Sequence, residues 1–384
     1  MIFEFDQYVN GKPRPNLAIW QAEPFTLQWR MFSHHWPFSE PPALIDYLEH
    51  ENISPSGPRG YLVAVSFFDF SINWFELIPQ ARIQQMSAGD LYLVFFYSEG
   101  DNPWTIRQHL ERQCRENAVP VNMLRLISAN SAADHMPGSA WFADDELLFR
   151  RRNRHVPAIQ YHDRCRSRLF TALVRTHKWW RATVMTDFWR RGWHELGYFS
   201  YNPTIVVGDH EQDNPIEVDR WLGLRSSTHT FLTQRFFADG LNADEHNDHH
   251  LGVPEHFEDS YLNVVLETHM DVDQSDGVFL TEKTFKPIKN AQPFVIFGAQ
   301  HSLARLRDLG YRTFDSVIDN TYDSIKNTTE RYECLMSLLS DMFAGGAEHM
   351  HKIYTDCRDD LVHNQQHFLA DKKDRLNTLL EKIK

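Results

Sequence analysis

Short apolar runs alternate with helical patterns along the chain, and this alternation restricts the possible folds more than any other feature. Runs of strand length occupy residues 61–68, 91–97 and 123–127. Residues 103–117, between the last two runs, have helical spacing with a proline in the first turn. Strands that are apolar on both faces belong to parallel sheets covered on both sides by helices. The pattern therefore predicts an α/β fold with parallel sheets.

The length of the chain and one basic stretch indicate two lobes. With 384 residues the chain is too long for one ordinary core. We predict an N-terminal α/β lobe with an irregular first segment at residues 1–160, a second α/β lobe at 161–345 and a helical tail at 346–384. The basic stretch is either a solvated connection between the lobes or a docking surface for an anion. Its members are Arg150, Arg151, Arg152, Arg154, Arg164, Arg166 and Arg168.

Composition and charge exclude several classes of protein. A formal net charge of -13 argues against a protein that coats nucleic acid without a local basic patch. Four cysteines with no CxxC pair indicate neither a zinc module nor a disulfide framework, which favours a reducing compartment. The sequence shows no basic-then-apolar signal segment and no apolar run of bilayer length. We therefore expect a cytoplasmic protein without a transmembrane segment.

The most informative stretch is residues 277–298, which read GVFLTEKTFKPIKNAQPFVIFG. The pattern predicts a buried strand at residues 278–280 that ends in Thr-Glu-Lys, a helix with proline in its first turn, and a second strand at residues 293–297. A further strand is predicted at residues 311–314. In open α/β sheets, ligands bind at the carboxyl ends of strands, where helix N-termini offer free N–H groups. There Glu282 could accept hydrogen bonds from two ribose hydroxyls, and Lys283 and Lys286 could neutralise a diphosphate. The alternative is that Glu282 and Lys283 only cap the helix.

This stretch, together with residues 305–314 (RLRDLGYRTF), resembles the nucleotide-sugar motif in the second lobe of GT-B glycosyltransferases. It is most similar to the fucosyltransferase-like group, whose members carry Thr-Glu-Lys at the end of a strand, and to glycosyltransferases inferred in phages and bacteria. The resemblance covers about residues 165–340. It implies a GT-B-like fold, in which two Rossmann-type lobes with parallel sheets face a central cleft and the C-terminal helix can return to the first lobe. It also implies that Glu282 holds the ribose, and Lys283 the diphosphate, of a nucleoside diphosphate sugar.

A second stretch of the same resemblance supplies candidate cations for the diphosphate. Arg175, His177, Lys178 and Arg181 lie at the turn between a predicted strand, residues 170–174, and an aromatic, basic helix. Their charges could stabilise the leaving phosphates, so that no metal would be needed. The group usually has adjacent His and Arg. Here a lysine follows the histidine, which leaves open which cation contacts phosphate. The alternative is a basic amphipathic helix on the surface.

The catalytic base is expected in the first lobe. Glu99 and Asp101 follow the predicted strand at residues 91–97, where a carboxylate could remove the proton of an acceptor hydroxyl. Asp69, after the preceding predicted strand, is a rival. Each of the three could instead be a carboxylate that caps a loop.

Two patterns that imitate metal sites do not satisfy the requirements of such sites. His246, His249 and His250 lie in a polar segment without the spacing of a helical metal pair, so a loop or lid is the preferred interpretation. Residues 271–282 imitate a calcium loop, but the sixth position is Asp276, where the sharp turn requires glycine. The sequence also lacks the common phosphate-loop, dinucleotide-binding and nucleophile-elbow motifs. We therefore predict no metal site.

Taken together, these features predict a metal-independent glycosyltransferase that needs no cofactor besides its donor substrate, a nucleoside diphosphate sugar. The acceptor would be a hydroxyl group of a glycan, a lipid-linked sugar or a modified nucleic acid. The resemblance implies inversion at the anomeric carbon. Two alternatives stay open. One is a non-catalytic module that binds a nucleotide sugar, and the other is a glycosyltransferase that modifies DNA bases by means of the basic stretch.

Overall fold

The chain forms two compact units. Unit 1 comprises Met1–Leu148, Val272–Phe279 and Asp371–Lys384, and unit 2 comprises Phe149–Asp271 and Leu280–Ala370. The computed structural model describes residues 2–9, 12–19, 44, 48, 51–53, 57–65, 68, 70–152, 155–174, 178–201, 204–207, 210–213, 230, 231, 236, 238, 252–270 and 277–384.

Unit 1 is built around a six-stranded sheet. Its strands are β1 (Ile2–Val9), β2 (Lys12–Ile19), β3 (Arg59–Val65), β4 (Tyr92–Tyr97), β5 (Leu124–Ser128) and β6 (Ser139–Trp141). The strand order is β2-β1-β3-β4-β5-β6, with β1 and β2 antiparallel and every other neighbouring pair parallel. The α-helices described in this unit are α1 (Gln80–Ala88), α2 (Pro103–Glu116), the start of α3 (Asp144–Arg152) and α11 (Lys373–Lys382).

Both faces of this sheet are covered, as the continuous apolar runs predicted. Along β4, Leu93, Phe95 and Tyr97 contribute to one core and Val94 and Phe96 to the other, because successive side chains of a strand point to opposite faces. Helices α1 and α2 contribute to the first core, and α11 contributes to the second. The apolar character of β4 on both faces therefore follows from its position between two layers of helices.

The last helix of the chain belongs to unit 1. Leu376, Leu379 and Leu380 of α11 are buried in the second core of that unit. The predicted tail at residues 346–384 is therefore divided, because unit 1 buries the apolar face of α11, whereas the tail residues up to Ala370 belong to unit 2. The first division between the units lies at Leu148, within α3, and not at the predicted residue 160. The prediction of an irregular first segment is also wrong in part, because β1 and β2 are strands that pair with each other.

Unit 2 is built around a four-stranded, fully parallel sheet. Its strands are β7 (Arg168–Val174), β8 (Tyr198–Tyr201), β11 (Ser260–Leu266) and β12 (Phe294–Phe297), in the order β12-β11-β7-β8. A separate antiparallel pair is formed by β9 (Thr204–Val207) and β10 (His210–Asp213). Two sheets dominated by parallel pairing make the chain an α/β protein with a two-lobed, Rossmann-like organisation, as predicted.

Helices accompany the sheet of unit 2. They are the end of α3, α4 (Trp179–Arg190), α5 (Pro254–Glu258), α6 (Glu282–Lys289), α7 (Ser302–Asp308), α8 (Thr328–Ala344), α9 (Gly346–Asp356) and α10 (Arg358–Leu369). Phe170 of β7 contacts Phe188 of α4 and Phe343 of α8, with ring centroids 5.4 and 5.0 Å away. None of the described helices is both long enough and apolar enough to cross a membrane.

Two segments predicted as strands are not strands. Residues 277–281 belong to no sheet, and the backbone of Val278 is bound instead by Ser131 of unit 1. The Ser131 N–H donates to the Val278 carbonyl at 3.0 Å, and the Val278 N–H donates to the Ser131 hydroxyl oxygen at 2.8 Å. Residues 311–314 also form no strand, and Phe314 has a left-handed φ of 63°. In both segments, burial rather than strand pairing accounts for the apolar residues.

Candidate functional site

The candidate site lies at the carboxyl edge of the parallel sheet in unit 2. At this edge β11 ends at Leu266 and is followed by Glu267, while α4 begins directly after Lys178 and α6 directly after Thr281. Parallel strands end at one edge of a sheet, and this is the edge where ligands bind in open α/β folds. The fold thus brings the two stretches singled out in the sequence to the same place.

Glu267 connects these segments, and its carboxylate is buried, with 1% of the residue exposed. Oε1 accepts hydrogen bonds from the Thr281 N–H at 3.0 Å and the Thr284 hydroxyl at 2.5 Å. Oε2 accepts from the Thr281 hydroxyl at 2.6 Å and the Thr268 N–H at 3.2 Å. Four donors match the acceptor capacity of an ionised carboxylate. Glu267 therefore determines the position at which the chain enters α6.

Thr281 is the N-cap of α6, because its hydroxyl oxygen accepts the N–H of Lys283 at 3.4 Å. Helix α6 therefore begins one residue into the Thr-Glu-Lys motif. The capping side chain is the threonine, and Glu282 and Lys283 are the first two residues of the helix. The predicted position of the proline in the first turn is wrong, since Pro287 is the sixth residue of α6.

Glu282 and Lys283 form an ion pair at the N-terminus of α6. Nζ of Lys283 lies 3.0 Å from Oε1 of Glu282 and 3.2 Å from the Thr281 hydroxyl oxygen. The Glu282 side chain is 11% exposed and the Lys283 side chain 29% exposed. Lys286, one turn further along α6, is half-buried. The site thus presents a carboxylate and cations at the positive end of a helix, where an anionic ligand is stabilised.

Arg181 of α4 lies beneath this edge and is 4% exposed. Its Nε and Nη2 atoms donate to the carbonyl oxygen of Glu267 at 3.2 and 2.7 Å. Burial lowers the pKa of Arg181 to about 10, and the nearby carboxylates of Glu267 and Glu282 offset part of this shift. The guanidinium group is therefore a buried cation that fixes the end of β11 and adds positive potential beneath Glu282.

Lys178 completes the described part of the site. It lies directly before α4, is half-buried, and donates through Nζ to the Thr268 carbonyl oxygen at 3.0 Å. The structure thus brings Lys178 and Arg181 to the edge that carries Thr281, Glu282 and Lys283. Two other predicted site residues, Arg175 and His177, lie outside the described residues.

Sequence reasoning missed Glu267. The residue follows the apolar run of β11 directly, and a carboxylate at the end of a buried parallel strand is the signal that could have identified it.

The candidate bases belong to unit 1, at the carboxyl end of β4. The buried Tyr97 hydroxyl donates a hydrogen bond to Oδ2 of Asp101. The pKa of Tyr97 is raised by burial and by the Asp101 charge, so this phenol stays a donor at neutral pH. Asp101 and Glu99 are both exposed, and Asn102 caps α2 by accepting the Trp104 N–H at 2.9 Å. The cap is therefore an asparagine, and both carboxylates face solvent. Asp69 lies outside the described residues.

The segments that imitate metal sites contribute no described ligands. His246, His249, His250 and residues 271–276 lie outside the described residues. Among the residues that the structure does describe, no group of three or more His, Cys, Asp or Glu side chains could hold a metal ion.

Comparison with protein-family models, curated proteins and solved structures found no match to this chain. The geometry of the site is therefore the basis on which its function is inferred.

Proposed function

We propose that the carboxyl edge of unit 2 binds a nucleoside diphosphate sugar and that the protein is a GT-B-type glycosyltransferase. The observation that carries this proposal is the set of hydrogen bonds around Glu267. Its carboxylate holds the start of α6, and its carbonyl oxygen holds Arg181 of α4. One buried residue thereby places a carboxylate, Glu282, and cations at a helix N-terminus. This combination suits a ribose joined to a diphosphate.

Each part of the proposed donor has a partner at this edge. The Glu282 carboxylate accepts hydrogen bonds from the two ribose hydroxyls, which requires the ion pair with Lys283 to open. Lys283 then turns to the diphosphate, assisted by Lys178, Lys286 and the N-terminal N–H groups of α6. These positive groups stabilise the charge that develops on the leaving diphosphate. The proposed donor site therefore stabilises the leaving group without a metal ion.

The proposed reaction moves the sugar to an acceptor hydroxyl. A carboxylate of unit 1, Glu99 or Asp101, takes the proton from the acceptor while its oxygen bonds to the anomeric carbon. The bond from that carbon to the diphosphate breaks, and the nucleoside diphosphate leaves with the electron pair. Attack from the face opposite the leaving group inverts the anomeric configuration. The acceptor is a glycan, a lipid-linked sugar or a modified nucleic acid.

A thermal-shift screen of UDP, GDP, CDP and dTDP sugars tests the donor site. One nucleotide class should stabilise the wild type. Glu282→Ala should weaken its binding by about 1.5–3 kcal/mol, roughly ten- to a hundredfold, because a charged hydrogen-bond partner is lost. The control is Glu333→Ala, which removes an exposed carboxylate of α8 in the same unit and should bind like the wild type. The donor proposal is wrong if no nucleotide stabilises the wild type.

Turnover separates an enzyme from a module that only binds nucleotide sugars. If Glu99→Gln and Asp101→Asn both bind the donor normally, and one of them loses sugar transfer to acceptor or to water, a catalytic carboxylate is identified. If wild-type protein binds the donor and shows no turnover with glycan, lipid-linked or nucleic-acid acceptors, the non-catalytic alternative is correct. Loss of transfer on addition of EDTA would contradict metal independence.

A further inference from the structure

Arg166 is buried in unit 2, whereas its neighbours in the basic stretch are exposed. Only 4% of Arg166 is accessible, while Arg164 and Arg168 are exposed. The residue lies just before β7, at the amino edge of the sheet, and thus at the edge opposite the candidate donor site. Its burial shows that the basic stretch is not a uniformly solvated surface.

The Nη1 atom of the Arg166 guanidinium group uses both of its N–H groups in hydrogen bonds. Nη1 donates to the carbonyl oxygens of Phe257 and Ser260, the latter at 2.8 Å, and the backbone N–H donates to the Tyr261 hydroxyl at 2.8 Å. The guanidinium carbon lies 4.1 Å from the ring centroid of Tyr354. These contacts hold the plane of the group in a fixed orientation.

The other side of the guanidinium has no acceptor. Nε and Nη2 of Arg166 are buried and have no acceptor within 3.5 Å among the described residues, and the hydroxyl of Tyr354, which interacts with the guanidinium group, is also buried without a partner at that distance. These two nitrogens form the edge that binds two oxygens of a carboxylate or phosphate through parallel hydrogen bonds. The buried Nδ1 atoms of His162 and His351 likewise have no partner in the described structure. Burial and the nearby Arg166 charge lower the pKa of His162. The centroid of the His351 ring lies 5.7 Å from the centroid of the Tyr261 ring.

The Arg166 charge is incompletely compensated. No carboxylate of the described residues forms an ion pair with it, and burial lowers the pKa of Arg166, an effect that the Tyr354 and Tyr261 hydroxyls offset in part. Burying a cation without an anionic partner costs several kcal/mol. An oxyanion on the free edge would supply both the missing charge and the missing acceptors.

We infer that Arg166, His162 and His351 form a binding site for a small oxyanion, either a phosphate or a carboxylate group. Arg166 supplies two parallel hydrogen bonds, and the histidine Nδ1 atoms supply further donors. Asp163, Arg164 and Cys165 are exposed, so only a short segment of chain separates the Arg166 side chain from solvent. This inference does not depend on the proposed glycosyltransferase activity, because it concerns the opposite edge of the sheet.

Thermal-shift titrations with orthophosphate, sulfate and acetate test the inference, with chloride at matched ionic strength as the reference. They are made in a Lys283→Ala background, which weakens the anion response expected at the donor site, and the Arg166 variants below identify the part of the response that belongs to the Arg166 site. An oxyanion that occupies the Arg166 site should raise the Tm with concentration, as mass action requires, and chloride should not. A response to phosphate and sulfate alone would indicate a phosphate site, and a response to acetate alone a carboxylate site.

Two substitutions separate the Arg166 site from general charge effects. Arg166→Lys keeps the charge but loses the parallel pair of donors. The anion concentration at half-saturation should therefore rise at least about tenfold. Arg168→Lys is the matched control, because Arg168 is an exposed member of the same basic stretch, and it should leave the titration unchanged. If Arg166→Lys does not fold, His351→Ala should still raise the anion concentration at half-saturation severalfold. A response that is equal for chloride, a response unchanged by both Arg166→Lys and His351→Ala, or no response at all would overturn the inference and leave ordered water as the partner of Arg166.

Discussion

The hydroxyl of Thr281 donates a 2.6 Å hydrogen bond to Oε2 of Glu267, while its oxygen accepts the N–H of Lys283. A threonine thus joins a buried carboxylate at the end of one strand to the first turn of the helix that carries Glu282 and Lys283. Because the Glu267 carbonyl oxygen also binds Arg181, both stretches of the candidate site depend on this one residue.

Glu267→Gln should destabilise the protein, because each carboxylate oxygen accepts a backbone N–H. Oε1 accepts from Thr281 and Oε2 from Thr268, so either orientation of a glutamine amide places its NH2 group against a donor. The unmade hydrogen bond should lower the free energy of unfolding by about 1–3 kcal/mol in urea titrations. Glu333→Gln, an exposed change, should stay within about 0.5 kcal/mol. Equal stabilities for the two variants would argue that Glu267 does not organise the site.

Glu146→Gln should detach the C-terminal helix from unit 1. The Glu146 carboxylate is fully buried and lies 2.6 Å from Nη1 of Arg375 and 3.6 Å from Nζ of Lys372. Removing one partner of a buried pair leaves an uncompensated charge, so we expect a loss of about 3–5 kcal/mol and easier proteolysis of α11. Glu381→Gln removes the partner of Lys384 in an exposed pair and should cost less than about 1 kcal/mol. A cost for Glu146→Gln as small as this would show that the pair does not anchor the helix.

Gly100→Ala should destabilise unit 1 through a collision with Phe279. A Cβ atom at position 100 would lie 2.3 Å from the Phe279 ring, and overpacking of this kind costs about 1–3 kcal/mol. The measurement is a double-mutant cycle with Phe279→Gly, which removes both the ring and the Phe279 Cβ atom, itself only 2.6 Å from the new Cβ. If the two changes are coupled, Gly100→Ala should cost much less in the Phe279→Gly background. Additive costs would show that the glycine has another role.

Lys289 should make stability depend on pH above neutrality. Burial lowers the pKa of Lys289 to about 8 in the folded protein, whereas the unfolded chain has the ordinary value of about 10.4. Between these values the unfolded state binds the proton and the folded state does not, so this residue makes the free energy of unfolding rise with pH. Lys289→Met should therefore be more stable than the wild type at pH 7, and the difference should shrink by pH 10. A difference that is constant across this range would contradict the shifted pKa.

The sequence predicted those parts of the fold that are determined by residues close to one another in the sequence. The apolar runs at β3, β4 and β5 identified strands, and the helical spacing after Pro103 identified α2, because both patterns are local. The grouping of Lys178 and Arg181 with Glu282 came from the family resemblance, and it agrees with the rule that ligands bind at the carboxyl ends of parallel strands. That rule locates whole segments at the carboxyl edge of a sheet and does not require the individual side-chain contacts to be known.

Long-range contacts account for what the sequence did not reveal. Glu267 is bound by threonines that follow it by fourteen and seventeen positions, and no local pattern shows that they meet. The apolar residues before Thr281 resembled a strand, yet Val278 is bound by Ser131 and not by a neighbouring strand. The burial of Arg166 within a run of basic residues is also set by distant partners, Phe257 and Ser260.

Residues of unit 1 precede and follow both segments of unit 2, so unit 2 is topologically an insertion within it, made in two segments. The core of unit 1 includes Leu376 and Leu380, which leave the ribosome after the last residue of unit 2, Ala370. Every residue of unit 2 has been synthesised before then. Domains generally fold as units during synthesis, so the inserted unit can mature while its host still lacks a helix. Of the two units, the one whose synthesis begins first is thus the one that is completed last.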